Sequence, residues 1–232
     1  MAGETIKTTA ICLRISPWSR SSHIVEWLTP LGIVTTAVKG AVRPKSAFLG
    51  QYDLNYTCEI IYYPGKGQGL HPLRECTPLE FRERLRGDFR AMALAEYERY
   101  LTSKLSPGGS EARSWYELLA CSLDFIASRQ SENSELLAEM IDFELKILDL
   151  SGISPRLEAQ SGSLRLQGER AVFIAKDVAK CLENPKKEKN LKILLDTARV
   201  IGVFYVFHLG LSSAVRRSVI QMINKQKTER EV

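Results

Sequence analysis

Paired cysteines, clustered histidines and long apolar runs are all missing from this chain of 232 residues. Its five cysteines, Cys12, Cys58, Cys76, Cys121 and Cys181, stand singly. Without a C-x-x-C pair they carry no zinc or dithiol signature, and they are too sparse for a disulfide scaffold, so they are expected to be buried thiols. His23, His71 and His208 lie far apart and lack flanking carboxylate or cysteine patterns, which argues against a metal site or a catalytic cluster. Ser21-Ser22-His23 sets a hydroxyl beside an imidazole, but neighbouring residues on a strand point to opposite faces. Gly65-Lys66-Gly67-Gln68-Gly69 lacks the Walker spacing and its following Ser or Thr, so it reads as a hairpin turn rather than a phosphate cradle. The longest apolar stretch, Val200 to Leu211, is too short to cross a bilayer and is interrupted by His208; Met1 to Thr5 has no cationic start leading into an apolar run. These absences predict a cytoplasmic protein with no membrane partner, no cofactor, no metal and no enzymatic site.

The chain does hold enough apolar material for a sizeable core, 44% of residues, and a net charge of +5 that is unevenly spread. Residues 1–86 carry 11 Lys/Arg against 7 Asp/Glu, residues 87–150 carry 6 against 12, and residues 151–232 carry 15 against 8. Two basic ends around an acidic middle are compatible with a polyanion lying across the ends. No internal repeat or low-complexity tract is present.

The first third reads as strand. Ile11, Leu13 and Ile15 alternate with polar or smaller residues, as do Val25 and Trp27, with Pro17 and Ser19 to Ser22 breaking the pair. Thr29-Pro30-Leu31-Gly32 predicts a turn before a third strand, Ile33 to Lys39. Tyr52, Leu54, Tyr56, Cys58, Ile60 and Tyr62 share one side of a long predicted strand, and Leu70 to Cys76 supplies a fifth. Five short strands without a helix between them fit a small closed barrel. Directly after the third strand comes Lys39-Gly40-Ala41-Val42-Arg43-Pro44-Lys45-Ser46, three cations on a turn stiffened by Pro44, which suits a grip on a nucleic-acid backbone. The tyrosines Tyr52, Tyr56 and Tyr62 fall on the apolar face and are expected in the core, although tyrosine faces also serve base stacking.

From Thr77 the apolar period becomes 3.6. Thr77, Pro78 and Glu80 form a predicted helix cap, and Phe89 to Leu105 continues as helix until Pro107-Gly108-Gly109. Trp115 to Ala127, Leu136 to Leu150, Leu191 to Leu209 and Ser213 to Lys225 are further predicted helices, the last basic and amphipathic. Ser151 to Gly168 is irregular, Ala171 to Ile174 is a short predicted strand, and Lys186, Lys187 and Lys189 read as a solvated charge run.

Taken together, Pro17-Trp18-Ser19-x-x-Ser22, Thr29-Pro30-x-Gly32, Lys39-Gly40-Ala41-x-Arg43-Pro44-Lys45-Ser46, Phe143-Glu144-Leu145-x-Ile147-Leu148 followed by Gly152, and Leu209-Gly210 before Arg216-Arg217 resemble the bacterial RecO family of DNA repair proteins. The resemblance implies an α+β chain: an N-terminal five-stranded OB-fold barrel over 1–79 that binds nucleic acid, then an α-helical domain over 80–232 with a small irregular or β insertion at about 151–185. It implies a non-enzymatic recombination mediator that binds single- and double-stranded DNA, anneals complementary strands, contacts the C-terminal tail of single-stranded-DNA-binding protein, and works with RecR, and often RecF, to load RecA. Lys39, Arg43 and Lys45 match the family's basic turn, and Arg14 and Arg20 match cations near its first strand pair. Arg216 and Arg217 are candidates for contact with the partner peptide or with DNA. Two departures bear on function. Family members often have a further arginine where Val42 stands, and many carry a four-cysteine zinc insertion where residues 151–180 here hold neither cysteine nor histidine. Both leave open an alternative, a RecO-like adaptor that bridges proteins and binds DNA weakly.

Overall fold

The structure is a computed structural model that describes residues 4–65, 69–128, 130–158, 163–165 and 171–225. The loop Gly65 to Gly69 therefore lies largely outside the described residues. Five strands, β1 (Ile6–Ser19), β2 (Ser22–Thr29), β3 (Gly32–Val38), β4 (Thr57–Tyr62) and β5 (His71–Glu80), close into a barrel in the order β1-β2-β3-β5-β4. All neighbours run antiparallel except β3 and β5, which meet in parallel over Thr36–Ala37 and His71–Pro72. Closure of β1 onto β4 leaves no free sheet edge, which makes this an OB-type barrel.

The barrel interior is packed with Ala10, Cys12, Val25, Trp27, Val38, Tyr56, Cys58, Ile60, Tyr62, Leu73 and Cys76. The Trp27 indole donates to Thr36 Oγ1 at 2.8 Å, so its one polar atom is satisfied inside. The core expectation for the tyrosines holds: Tyr56 and Tyr62 are buried, and Tyr52 is partly buried with its hydroxyl 2.8 Å from His23 Nδ1. Four cysteines are buried free thiols, but Cys121 is exposed, a correction to the uniform burial expected.

Strand boundaries depart from the sequence reading in three places. β1 does not stop at Pro17; it runs to Ser19, and its register slips between Cys12 and Arg14 and again between Pro17 and Ser19, where the missing N–H is tolerated. The alternation is also hidden because Ala10 to Leu13 are all buried: Ala10 and Cys12 enter the barrel core, while Ile11 and Leu13 fall on the opposite face. The long strand expected from Tyr52 begins only at Thr57. Asp53 accepts from the Leu54 N–H and the Tyr56 N–H, and Asn55 takes φ 68°, so this stretch is a turn. Thr77-Pro78 is not a helix cap but part of β5, with Pro78 opposite Cys58 beside a register shift.

Six helices follow among the described residues: α1 (Phe89–Leu105), α2 (Ala112–Ser128), α3 (Asn133–Leu150), α4 (Lys176–Glu183), α5 (Leu191–Leu209) and α6 (Ser213–Asn224). A 3-10 turn, Glu83–Gly87, precedes α1, whose true cap is Asp88: its Oδ1 accepts the Arg90 N–H at 2.9 Å. Strands β6 (Arg156–Glu158), β7 (Ser163–Arg165) and β8 (Ala171–Phe173) form a small antiparallel sheet between α3 and α4, the expected β insertion. The short α4 was not foreseen, since only Val178 and Cys181 on it are buried.

By contacts the chain divides into two compact units, one of residues up to Glu83 with Arg99–Ser128, the other of Arg84–Glu98 with the described residues from 130 onward. In the first, α2 packs against β2 and β3, Arg99 donates to the Leu13 carbonyl, and Ser103 donates to Glu26 at 2.5 Å. In the second, α3 packs on α5 and α6 around Leu136, Met140, Phe143, Ile147, Leu194, Ile201 and Phe204.

Candidate nucleic-acid interface

The basic turn belongs to an 18-residue connection between Val38 and Thr57 that folds as a chain of turns. Each turn closes by an N–H to carbonyl bond three residues back: Arg43 to Gly40 at 3.1 Å, Ser46 to Arg43 at 2.9 Å, Gln51 to Phe48 at 3.1 Å. Gly40 has φ +66°, and a Cβ there would sit 3.2 Å from Arg43 Cδ, so glycine lets the arginine fold back over the turn. Ala41, Phe48 and Tyr52 pin the connection to the barrel core, which leaves Lys39, Arg43 and Lys45 outside in solvent.

Register places this turn beside the β1–β2 hairpin. Pro17 pairs with His23 and His23 with Val38, so the hairpin tip and Lys39 share one end of the barrel. Two hydrogen bonds join them: Val42 N–H to the Ser21 carbonyl at 3.3 Å and Gly40 N–H to Ser22 Oγ at 3.2 Å. Between them opens a cleft of about 470 Å³ lined by Trp18, Ser19, Ser21, Ser22, Lys39 and Arg43. Arg20 is exposed in the hairpin tip itself, and Lys45 is exposed farther along the turn. Arg14 is exposed but is not brought to this end. It pairs with Glu26, several residues down the β1–β2 ladder from the tip at Ser19 and Ser22.

None of Arg14, Arg20, Lys39, Arg43 and Lys45 makes an ion pair among the described residues. Other cations of the same unit do: Lys7 with Glu59 at 2.8 Å, Arg74 with Glu75 at 3.0 Å, and Arg82 with Asp124 at 2.7 Å. The basic turn is thus positive charge held in place without an internal counter-charge, as phosphate contacts need. Trp18, 49% exposed at the cleft wall, enters the sequence reading only as part of the Pro17-Trp18-Ser19 motif and not as a site residue. Its place beside a turn signal was what distinguished it from a core tryptophan.

The C-terminal pair is split. Arg217 is exposed, but Arg216 is buried and bonds both carboxylate oxygens of Glu144, Nε to Oε1 at 2.6 Å and Nη2 to Oε2 at 2.7 Å. Tyr97 donates to the same carboxylate at 2.6 Å, and Tyr205 donates to the Glu144 backbone carbonyl at 3.0 Å. Burial works against the Arg216 charge, yet the facing Glu144 outweighs it and holds the guanidinium pKa above its ordinary value. Burial next to Glu144 also raises both tyrosines well above theirs. Arg216 shares a helical stripe with the buried Val219 and Ile223, and that spacing was the available signal that it points inward. Beside it, α5 and α6 leave an apolar groove of about 680 Å³ lined by Leu195, Val203, Val206, Phe207 and Ile220, with Arg199 and Arg217 among its polar members. Lys186 departs from the solvated run predicted for it: its ammonium lies 2.7 Å from Glu139 and 3.2 Å from Asp142.

Among the described residues no group of three or more His, Cys, Asp or Glu is placed to hold a metal ion, and no helix is long and apolar enough to cross a membrane. The family described as recombination protein O N terminal matches residues 1–82, and recombination protein O C terminal matches 86–223. Similar curated relatives are each named DNA repair protein RecO. One from Alkaliphilus metalliredigens is 28% identical over 66% of this chain and 60% of its own length. One from Roseiflexus sp. is 28% identical over 68% and 53%, and one from Lactobacillus delbrueckii subsp. bulgaricus is 29% identical over 68% and 62%. The alignments thus span roughly three fifths of these relatives. A closed five-stranded barrel, a helical unit built around Glu144 and two family matches that together run from residue 1 to 223 agree, and the chain belongs to the RecO family.

Proposed function

We propose that this protein is a non-enzymatic recombination mediator of DNA repair, acting in the cytoplasm at the nucleoid. In this reading the domain over 1–79 binds single- and double-stranded DNA and the helical domain over 80–232 meets protein partners. It promotes annealing of complementary strands and, as family members do, works with RecR, and often with RecF, to help load RecA on DNA coated with single-stranded-DNA-binding protein. The observation that carries the reading is the unpaired cationic end of the barrel, Lys39, Arg43, Lys45 and Arg20. Cations that meet phosphates release condensed counterions and carry no sequence preference, which suits a protein that encounters arbitrary DNA. Annealing follows from the same term, because two strands approach once their phosphate charge is neutralised.

The test is the salt dependence of binding to a fluorescent single-stranded oligonucleotide, measured for the wild type and for the triple variant K39A/R43A/K45A. Each lost phosphate contact lowers the slope of log affinity against log salt by about 0.7, so the triple variant is expected to lose about 2. An unchanged slope and unchanged annealing remove the turn from the mechanism.

The apolar groove of α5 and α6 favours a second reading, an adaptor that bridges proteins and binds DNA weakly. Apolar lining with Arg199 and Arg217 nearby suits an acidic peptide that ends in apolar residues, such as the tail of single-stranded-DNA-binding protein. Arg217→Glu together with Phe207→Ala is expected to weaken binding of that tail peptide at least tenfold, and retained affinity would exclude the groove.

A further inference from the structure

We propose that the cleft between the β1–β2 hairpin and the basic turn seats one unpaired nucleotide, with its base stacked on Trp18 and its flanking phosphates held by Lys39 and Arg43, so that this cleft distinguishes single strands from duplex. The inference rests on the DNA-binding reading above and adds to it a base-recognising element and a rank order of substrates.

Three observations meet here. Of the three tryptophans, Trp27 and Trp115 are buried at 0% and 2% exposure, while Trp18 leaves half its surface in water. That surface lines a cleft of about 470 Å³ together with Lys39 and Arg43, within the range of roughly 300 to 1,000 Å³ typical of small-ligand sites. The walls are tied to each other by the Val42–Ser21 and Gly40–Ser22 hydrogen bonds, so the two backbone segments that carry the indole and the cations are fixed against one another before any ligand arrives. A flat apolar face beside two unpaired cations matches the chemistry of a nucleotide, an aromatic ring joined to phosphates. Ser19 and Ser21 add hydroxyls to the wall for polar groups of the sugar or base. Inside a duplex each base is already stacked above and below and offers no free face, so away from the ends the indole gains nothing and only the cations act.

Because Trp27 and Trp115 are buried, a change in intrinsic tryptophan fluorescence on binding reports on Trp18. The full chain is titrated at one low salt concentration with oligodeoxythymidylate, with an abasic deoxyribose-phosphate oligomer of the same length, and with a blunt duplex, while anisotropy of end-labelled DNA follows affinity. Quenching is expected with oligodeoxythymidylate alone. Trp18→Ala is expected to abolish the quenching and weaken single-strand binding by roughly five- to a hundredfold while leaving duplex affinity in place, and Trp18→Phe is expected to retain part of the lost affinity. Equal quenching by the abasic oligomer or the duplex overturns the proposal, as does a Trp18→Ala variant whose affinities for single strand and duplex fall together or stay unchanged. If the wild type binds no DNA at low salt, the DNA-binding reading itself falls. If binding is salt-dependent but indifferent to Trp18, only the present proposal does.

Discussion

A single residue type plays opposite parts in the two units. Arg43 is exposed, unpaired and free to meet a phosphate, whereas Arg216 spends its charge on Glu144 with Tyr97 and Tyr205 closing the network. The sequence showed both as basic and could not separate them, because the partner of Arg216 lies 72 positions away on α3. Removing one member of a buried ion pair leaves the other charge uncompensated, so Arg216→Ala is expected to cost about 3 to 5 kcal/mol of stability, and Arg217→Ala close to nothing. Denaturant unfolding of the two variants checks this. Gly202 belongs to the same account: a Cβ there would lie 2.7 Å from Arg216 Nη1, so α5 keeps glycine where the guanidinium passes.

At the scale of the element, local signals worked where one rule acts alone. The Pro107-Gly108-Gly109 stop ended α1 at Leu105, where the structure ends it, and the apolar period gave α5 as Leu191 to about Leu209, the bounds the structure has. They failed where one residue has two uses. Pro78 fits both the first turn of a helix and a register shift in a strand, and pairing with distant β4 decided for the strand. Start signals of α1 were misplaced for the same reason, since its cap Asp88 stands ten residues beyond Pro78. Arg90 bonds the Asp88 carboxylate at 2.6 Å, and although partial burial pushes the Asp88 pKa up, the bonds from Arg90 prevail and hold it below the ordinary 3.8. A depressed carboxylate stabilises the fold fully above its unfolded value and loses that contribution as pH falls through its folded value. Asp88→Asn is therefore expected to lower stability near neutral pH, and the gap from wild type is expected to narrow below pH 3.8, as thermal unfolding across pH 2 to 7 would show.

Over the whole molecule, the uneven charge seen in the sequence is partly spent internally. Lys186 and Arg216, from the basic last third, face Glu139, Asp142 and Glu144 from the acidic middle. The +7 of that last third thus overstates its free positive charge, while the cations of the barrel turn remain unpaired, which is why the salt experiment centres on them. The candidate site was legible as a basic turn because it is contiguous in sequence. Its aromatic wall was not, since Trp18 and Lys39 meet only through the pairing of three strands.

The barrel's enclosed thiols carry a practical consequence. Burial lifts Cys12 in the barrel and Cys181 on α4 above the ordinary thiol range, and Cys76 is lifted by a hydrogen bond with the Cys58 thiol and by burial, so these sulfurs resist becoming thiolates; Cys121 on α2 is the exposed one. The native protein is expected to react with one equivalent of a maleimide or aromatic disulfide reagent and the denatured protein with five. Cys121 then serves as a natural attachment point for a dye, and the slower modification of Cys12, Cys58 and Cys76 becomes a clock for how often the barrel opens.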